Sequence, residues 1–130
     1  MDSKPHSSAA SAPLIDVKGL SAALADFATE RDWNQYHSPK NLVMALTGEV
    51  GELCEIFQWL SEEASQSVAT HPETATAVRE ELADVTLYLV RLASVLGVDL
   101  NEAVTHKLQK NAANYPVEKA HGSHKKYNKL

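Results

Sequence analysis

Apolar residues recur every three or four positions in four segments of the chain, which is the spacing of a helix with one core-facing side. The segments cover residues 15–31, 39–60, 73–96 and 99–113. The third segment predicts a stripe of Val78, Leu82, Val85, Leu89, Leu92 and Leu96. The second predicts a face of Leu42, Leu46, Val50 or Leu53, Phe57 and Leu60. The period-two alternation of strands is absent, so the pattern predicts an all-α, four-helix bundle.

The ends of three predicted helices carry residues that favour capping. Ser38 before Pro39 matches an N-cap followed by the first helical residue. Gly97 suits the left-handed conformation that ends a helix. Asp99 and Glu102 form an acidic version of a capping box and predict the start of the fourth helix.

The length of 130 residues predicts one folded domain. Residues 1–14 are rich in Ser, Ala and Pro and are expected to be disordered. Residues 15–115 form the expected helical domain, in which residues 61–72 are a polar connector. Residues 116–130 are expected to be a basic tail without regular structure.

Charge and composition exclude several classes of protein. A net charge of −5 argues against a nucleic-acid binder, which needs a basic face. No apolar run is long enough to cross a membrane, and the N-terminus lacks the order of a signal peptide. Cys54 is the single cysteine, so no internal disulfide forms, and the expected location is the cytoplasm. Surplus apolar residues, namely Val43, Leu87 and Val90, predict a homo-oligomer.

Two pairs of carboxylates stand out on the second and third predicted helices. Glu49 and Glu52 are three residues apart, as are Glu81 and Asp84, so each pair shares a helix face next to apolar positions. If the two helices pack together, the four carboxylates converge and need a cation between them. Oxygen ligands suit Mg²⁺, or Mn²⁺. The alternative is that both pairs face solvent, as most such pairs do.

Other catalytic chemistries have no matching motif. The chain lacks a phosphate-binding loop of the GxxxxGK[ST] type and a Gly-rich dinucleotide turn. A di-iron bundle needs Glu-x-x-His inside its helices, and here that spacing occurs only at Glu118 and His121, in the tail.

The runs EVGELCEIFQW and EELADVTLYLV resemble the MazG-like all-α nucleoside triphosphate pyrophosphohydrolases, whose signature is ExxE on one helix and ExxD on the next. The runs FATERDWNQYHSPKNL, NANYP-like and KKY are similar to the dCTP pyrophosphatase branch of that family. The resemblance spans about residues 16–130. It implies an enzyme that needs magnesium, cleaves a deoxynucleoside triphosphate to the monophosphate and pyrophosphate, sanitises the nucleotide pool, and assembles as a homotetramer.

When the family's site residues are matched to this sequence by position, the resemblance implies which residues bind the metal and which form the nucleotide pocket. The metal ligands are Glu49, Glu52, Glu81 and Asp84. The nucleotide pocket contains Trp33, Trp59 and Tyr88, with Lys107 and Asn111 of the fourth helix nearby. Apart from the resemblance, Lys107, Lys125 and Lys126 are the available phosphate cations, and Tyr127 accompanies them; the alternative for the tail lysines is a solvated, mobile end. Catalysis is assigned to Glu49, Glu52 and Glu55, and either Glu52 or Glu55 takes the proton of the attacking water.

Two interpretations are open for Trp33 and Trp59. Their flat rings can sandwich a base, or they can pack in the core. The vertebrate enzyme of this branch has a histidine where this chain has Leu24, so looser cytosine selectivity is expected. Two other functions stay open: a broader triphosphate pyrophosphatase of the same fold, and a bundle that binds nucleotides or a protein partner without hydrolysis.

Overall fold

A computed structural model describes residues 12–130. These residues form six α-helices and two short 3-10 helices, and no strand occurs among them. The α-helices are α1 (Lys18–Glu30), α2 (Pro39–Phe57), α3 (Glu62–Ser65), α4 (Ala75–Leu96), α5 (Leu100–Asn114) and α6 (Val117–Ala120), and the 3-10 helices cover Asn34–Tyr36 and Tyr127–Lys129. The all-α prediction is confirmed, and α1, α2, α4 and α5 correspond to the four predicted helices.

Two segments outside the four predicted helices contain short helices: the polar connector, and the tail that was expected to lack regular structure. The connector includes α3, where the Ser61 side chain caps the turn by accepting a hydrogen bond from the Ala64 N–H at 3.0 Å. The tail includes α6 and the second 3-10 helix. Periodic apolar spacing could not predict these elements, because a single turn is too short to show a period and is held by local hydrogen bonds.

The described chain divides into two compact units. One unit comprises Val17–Leu100 and therefore contains α1 to α4, and the other comprises residues 12–16 with residues 101–130. In the second unit the Leu14 N–H donates to the Asn101 Oδ1 at 2.8 Å. The prediction of disorder falls mainly on residues 1–11, which lie outside the described residues, and the predicted boundaries at residues 15 and 116 stay predictions.

The predicted N-cap of α2 and the predicted end of α4 are both present. The Ser38 Oγ accepts a hydrogen bond from the Asn41 N–H at 3.2 Å, and Pro39 is the first residue of α2. Gly97 ends α4 with a φ of 69°, and the Val98 N–H donates back to the Ala93 carbonyl at 2.9 Å. This left-handed turn favours glycine because a Cβ would be strained there.

The core of the first unit lies where α2 and α1 pack on α4. Its buried apolar residues are Ala28, Leu42, Val68, Val78, Val90 and Ala93. The predicted stripe on α4 is only partly correct. Leu82, Leu89 and Leu96, which follow one another by seven residues, are 52%, 43% and 54% exposed. Two lines of apolar residues therefore run along α4. The line that contains Val78 is covered by contacts within the chain, whereas the line of Leu82, Leu89 and Leu96 is not.

The long helices of the first unit also leave other large apolar side chains exposed, among them Val43, Met44 and Val50 on α2. Of the surplus residues predicted from sequence, Val43 is 44% exposed, whereas Val90 is 2% exposed and therefore belongs to the core. Between residues 12 and 130, none of the helices has the length and apolar character needed to cross a bilayer.

Candidate metal and nucleotide site

The structure brings together three of the four predicted metal ligands. Glu49 and Glu52 on α2 and Glu81 on α4 each place a carboxylate oxygen within 4.8 Å of the others. Asp84 lies one helical turn beyond Glu81, and its negative charge acts on Glu49. The packing of α2 on α4 therefore joins the two sequence pairs into one cluster of carboxylates.

Two carboxylates of this cluster, those of Glu49 and Glu81, hold protons more tightly than an isolated glutamate does, because their pKa values are raised. Partial burial, hydrogen bonding with Glu49 and Glu52, and the negative charges of the same two residues raise the pKa of Glu81 to about 7. For Glu49, the largest single effect is a hydrogen bond from Glu81, which lowers its pKa. Burial and the charges of Glu52 and Asp84 outweigh that effect, so the pKa of Glu49 is raised.

The residues of the cluster fit a bound cation. The Oε2 atoms of Glu49 and Glu81 are buried and have no hydrogen-bond partner among the described residues. A carboxylate oxygen in this position loses hydration without compensation when it is ionised. A divalent cation would satisfy both oxygens and would offset the burial and the repulsion that raise the two pKa values. The ligand set consists only of carboxylates, which suits a hard ion such as Mg²⁺ or Mn²⁺.

A cavity of about 150 Å³ adjoins the cluster through Asp84. Its walls come from α1, from the segment between α1 and α2, and from α4, and they consist of Leu24, Phe27, Trp33, His37, Asp84, Leu87, Tyr88 and Arg91. Complete ligand sites usually measure 300–1,000 Å³. This cavity therefore accommodates one flat group of a ligand, and the carboxylate cluster lies beside that group.

The aromatic wall of the cavity is built by the turn that ends α1. Asp32 adopts a left-handed conformation with a φ of 55°, and the Trp33 N–H donates to the Ala28 carbonyl at 2.8 Å. This turn directs Trp33 onto Phe27 and His37. The Trp33 ring meets the Phe27 ring edge-on at 5.7 Å between centroids and the His37 ring at 6.3 Å. Trp33 stays 44% exposed, so part of its ring is available for stacking.

The other predicted site residues lie in three different places. Tyr88 lines the cavity with Trp33. Trp59 follows α2, is 88% exposed and does not line the cavity, and Glu55 is exposed on α2 outside the carboxylate cluster. The remaining five belong to the second compact unit: Lys107, Asn111, Lys125, Lys126 and Tyr127. In that unit the Tyr127 ring meets the Tyr115 ring edge-on at 6.1 Å.

Sequence reasoning did not assign four of the cavity residues to the site: Phe27, His37, Leu87 and Arg91. Arg91 carried a usable signal, since it is seven residues after Asp84 and three after Tyr88 and so shares their face of α4. His37 carried no such signal, because it lies in a segment without periodic spacing. The Arg91 Nε donates to the His37 Nδ1 at 3.1 Å across 54 positions of sequence.

This all-α fold, with its carboxylate cluster between two helices, agrees with a match to a known family. The profile of the MazG-like family matches residues 45–130, and the chain belongs to that family. Among curated proteins, the chain is 45% identical to dCTP pyrophosphatase 1 of Bos taurus over 97% of its own length and 73% of the relative's. It is 47% identical to dCTP pyrophosphatase 1 of Homo sapiens over 90% of its length and 67% of the relative's.

A solved structure supports the same assignment of fold. A pyrophosphatase from Archaeoglobus fulgidus superposes with a TM-score of 0.71 and is 40% identical in sequence. The match covers 77% of this chain and 92% of the archaeal chain. A family of pyrophosphatases with an acidic cluster of this kind is consistent with the use of a divalent metal.

Proposed function

We propose that this chain is a magnesium-dependent dCTP pyrophosphatase that converts dCTP to dCMP and pyrophosphate. The observation that carries the proposal is the position of the carboxylates of Glu49, Glu52 and Glu81, within 4.8 Å of one another and joined through Asp84 to an aromatic cavity. A nucleoside triphosphate has the same two parts, a polyanion and a flat ring. The names of the relatives support dCTP as the substrate.

In the proposed reaction, the carboxylates bind the metal and the cavity binds the base. Mg²⁺ held by Glu49, Glu52, Glu81 and Asp84 would neutralise the triphosphate and polarise the bond that is cleaved. The cavity would bind the base against Trp33 and so fix the distance from the base to the α-phosphorus.

A carboxylate outside full metal coordination must take the proton of the attacking water. We propose Glu52 for this role rather than Glu55, because a carboxylate oxygen of Glu52 lies in the cluster whereas Glu55 does not belong to it. Glu52→Gln and Glu55→Gln are compared at saturating Mg²⁺, because Glu52 is also a proposed metal ligand, and loss of the proton acceptor should lower kcat by about 10²-fold or more even when the metal is bound. Near-normal turnover by Glu52→Gln would reject this assignment.

We also propose that the enzyme assembles from several copies, in line with the tetramer expected from sequence. The line of Leu82, Leu89 and Leu96 on α4 is exposed in the single chain, and Trp59 is 88% exposed. Burial of this apolar surface between copies would stabilise an oligomer. Trp59 would then reach a base only from a second copy. Light scattering at micromolar concentration tests this, and a stable monomer would contradict it.

The phosphate-binding roles of Lys107, Lys125 and Lys126 stay predictions. These lysines are exposed. They belong to the second compact unit, which also contains Asn111 and Tyr127.

Cys54 is a free, exposed thiol, which agrees with the proposed cytoplasmic location.

The proposed function is tested by release of pyrophosphate from the eight common ribo- and deoxynucleoside triphosphates, with and without Mg²⁺. We expect turnover only with metal, a preference for dCTP and its 5-modified forms, and slower cleavage of other pyrimidine deoxynucleotides. Equal cleavage of all eight would favour the broader enzyme. Binding without pyrophosphate release would favour the non-catalytic bundle.

Substitutions of the proposed metal ligands test whether pyrophosphate release depends on the carboxylate cluster. Glu49→Gln and Asp84→Asn each remove one anionic ligand and should abolish turnover while leaving the helical content intact. Glu80→Gln is the matched control, because Glu80 is an exposed neighbour of Glu81 on the same helix and lies outside the cluster. Folded Glu49→Gln protein with near-normal activity would reject this site.

A further inference from the structure

Arg91 lies in the same cavity as the proposed nucleotide site but has no part in the chemistry described above. On α4 it follows Tyr88 by three residues and Asp84 by seven, so the three side chains share a helix face. All three line the cavity. Seven residues span about 10 Å along the helix axis, at a rise of about 1.5 Å per residue. The carboxylates therefore lie at one end of this face and a cation at the other, with the aromatic cavity between them.

The guanidinium of Arg91 is held in place by two residues from the segment between α1 and α2. Its Nε donates to the His37 Nδ1 at 3.1 Å, and its Nη2 donates to the Asn34 Oδ1 at 2.8 Å. Asn34 is itself fixed, since its Nδ2 donates to the Thr29 Oγ1 at 3.1 Å. Burial and the charge of Arg91 lower the pKa of His37, which keeps the imidazole neutral and its Nδ1 free to accept.

These contacts occupy only one edge of the guanidinium. The group has five N–H donors in a rigid plane, and Nε with Nη2 forms the edge that His37 and Asn34 engage. The other edge carries one N–H of Nη1 beside the second N–H of Nη2, and it has no partner among the described residues. Two parallel N–H groups of this kind bind a pair of adjacent acceptors. Because Arg91 lines the largely apolar cavity, this edge is the pair of donors that Arg91 can offer to a ligand there.

Building on the proposed function, we propose that Arg91 is a specificity-determining residue whose free edge recognises the base through two adjacent acceptors, N3 and O2 of cytosine. Arginine reads O6 and N7 of guanine in DNA by the same geometry. Uracil and thymine carry a hydrogen on N3, so their N3–H would face an arginine N–H. Leu24, also in the cavity wall, has no polar group for this purpose. Arg91 supplies the hydrogen-bonding group that Leu24 lacks.

The inference is tested with mixtures of two nucleotides in one reaction, which give the ratio of their kcat/KM values directly. Wild type should prefer dCTP to dUTP, and Arg91→Ala should reduce that preference by about 5- to 150-fold, the discrimination expected of a bidentate arginine–base pair. Arg91→Lys keeps the charge but not the paired N–H groups, so it should lose most of the preference as well. Arg79→Ala, an exposed arginine of α4 outside the cavity, is the control and should leave the ratio unchanged.

A substrate analogue sharpens the test without any mutation. The deoxynucleoside triphosphate of 2-pyrimidinone keeps N3 and O2 as acceptors but lacks the amino group of cytosine. If Arg91 reads N3 and O2, wild type should cleave this analogue with a kcat/KM within about tenfold of that for dCTP, a span equal to 1.4 kcal/mol. Cleavage of the analogue as poor as that of dUTP would show that the amino group is recognised instead and would overturn the inference.

The other outcomes are equally decisive. A uniform loss of activity on dCTP and dUTP in Arg91→Ala would show a role in folding or packing and would reject base recognition. Full retention of the preference in Arg91→Lys would reject the paired N–H geometry. Wild type that cleaves no nucleotide would refute the proposed function itself, whereas active wild type with ratios insensitive to Arg91 refutes only this inference. If Arg91→Ala does not fold, Arg91→Lys and the analogue still decide.

Discussion

Replacement of Trp33 by alanine should weaken dCTP binding far more than it affects the chemical step. Trp33 lines the cavity, is 44% exposed, and contacts Phe27 and His37 edge-on. Stacking of a base on an aromatic ring contributes about 1–3 kcal/mol. Loss of that energy corresponds to an increase in Kd of about 5- to 150-fold. Because the carboxylates are untouched, kcat at saturating dCTP should change much less than KM.

Isothermal titration calorimetry measures this effect when Ca²⁺ replaces Mg²⁺ to slow turnover. Trp33→Phe is the matched control, because it keeps a flat ring against Phe27 and should recover most of the affinity. Trp59→Ala separates the roles of the two tryptophans. Since Trp59 is 88% exposed, its removal should weaken binding only if a second copy places it against the base. Trp33→Ala protein that is folded and binds dCTP as tightly as wild type would refute stacking in this cavity.

Three further predictions concern stability. Folding raises the pKa of Glu81 to about 7, so its stabilising effect is full below pH 4.5, the ordinary pKa of a glutamate, and is lost as the pH rises through 7. Metal-free Glu81→Gln should therefore melt at a higher temperature than metal-free wild type at pH 8, and a lower melting temperature there would contradict this. Leu42→Ala should cost about 2–5 kcal/mol in urea unfolding at fixed protein concentration, because Leu42 is 1% exposed, and a cost below about 1 kcal/mol would show that the core relaxes around it. Gly97→Ala should cost about 1–2 kcal/mol with unchanged kcat/KM, because its φ is 69°, and no loss in urea unfolding would mean that the turn adapts.

The helices and their ends followed from the sequence because they depend on neighbours within about four residues. Ser38 and Pro39 start α2, and Gly97 ends α4, as the local rules of capping predict. The pairing of Glu49 with Glu52 also needed only the helical period. Their meeting with Glu81 on another helix required the additional assumption that the two helices pack together, and the structure agrees with it.

The tertiary structure decided which apolar surface is covered and which aromatic residue lines the cavity. The spacing on α4 fits two apolar lines equally well, and only the packing of α1 and α2 leaves Leu89 exposed while Val90 is buried. Trp33 lines the cavity and Trp59 does not, although both were predicted from sequence to be in the nucleotide pocket. The hydrogen bond from Arg91 to His37 joins residues 54 positions apart. Such contacts depend on how the helices are rotated and shifted against each other, which periodicity within a single helix does not specify.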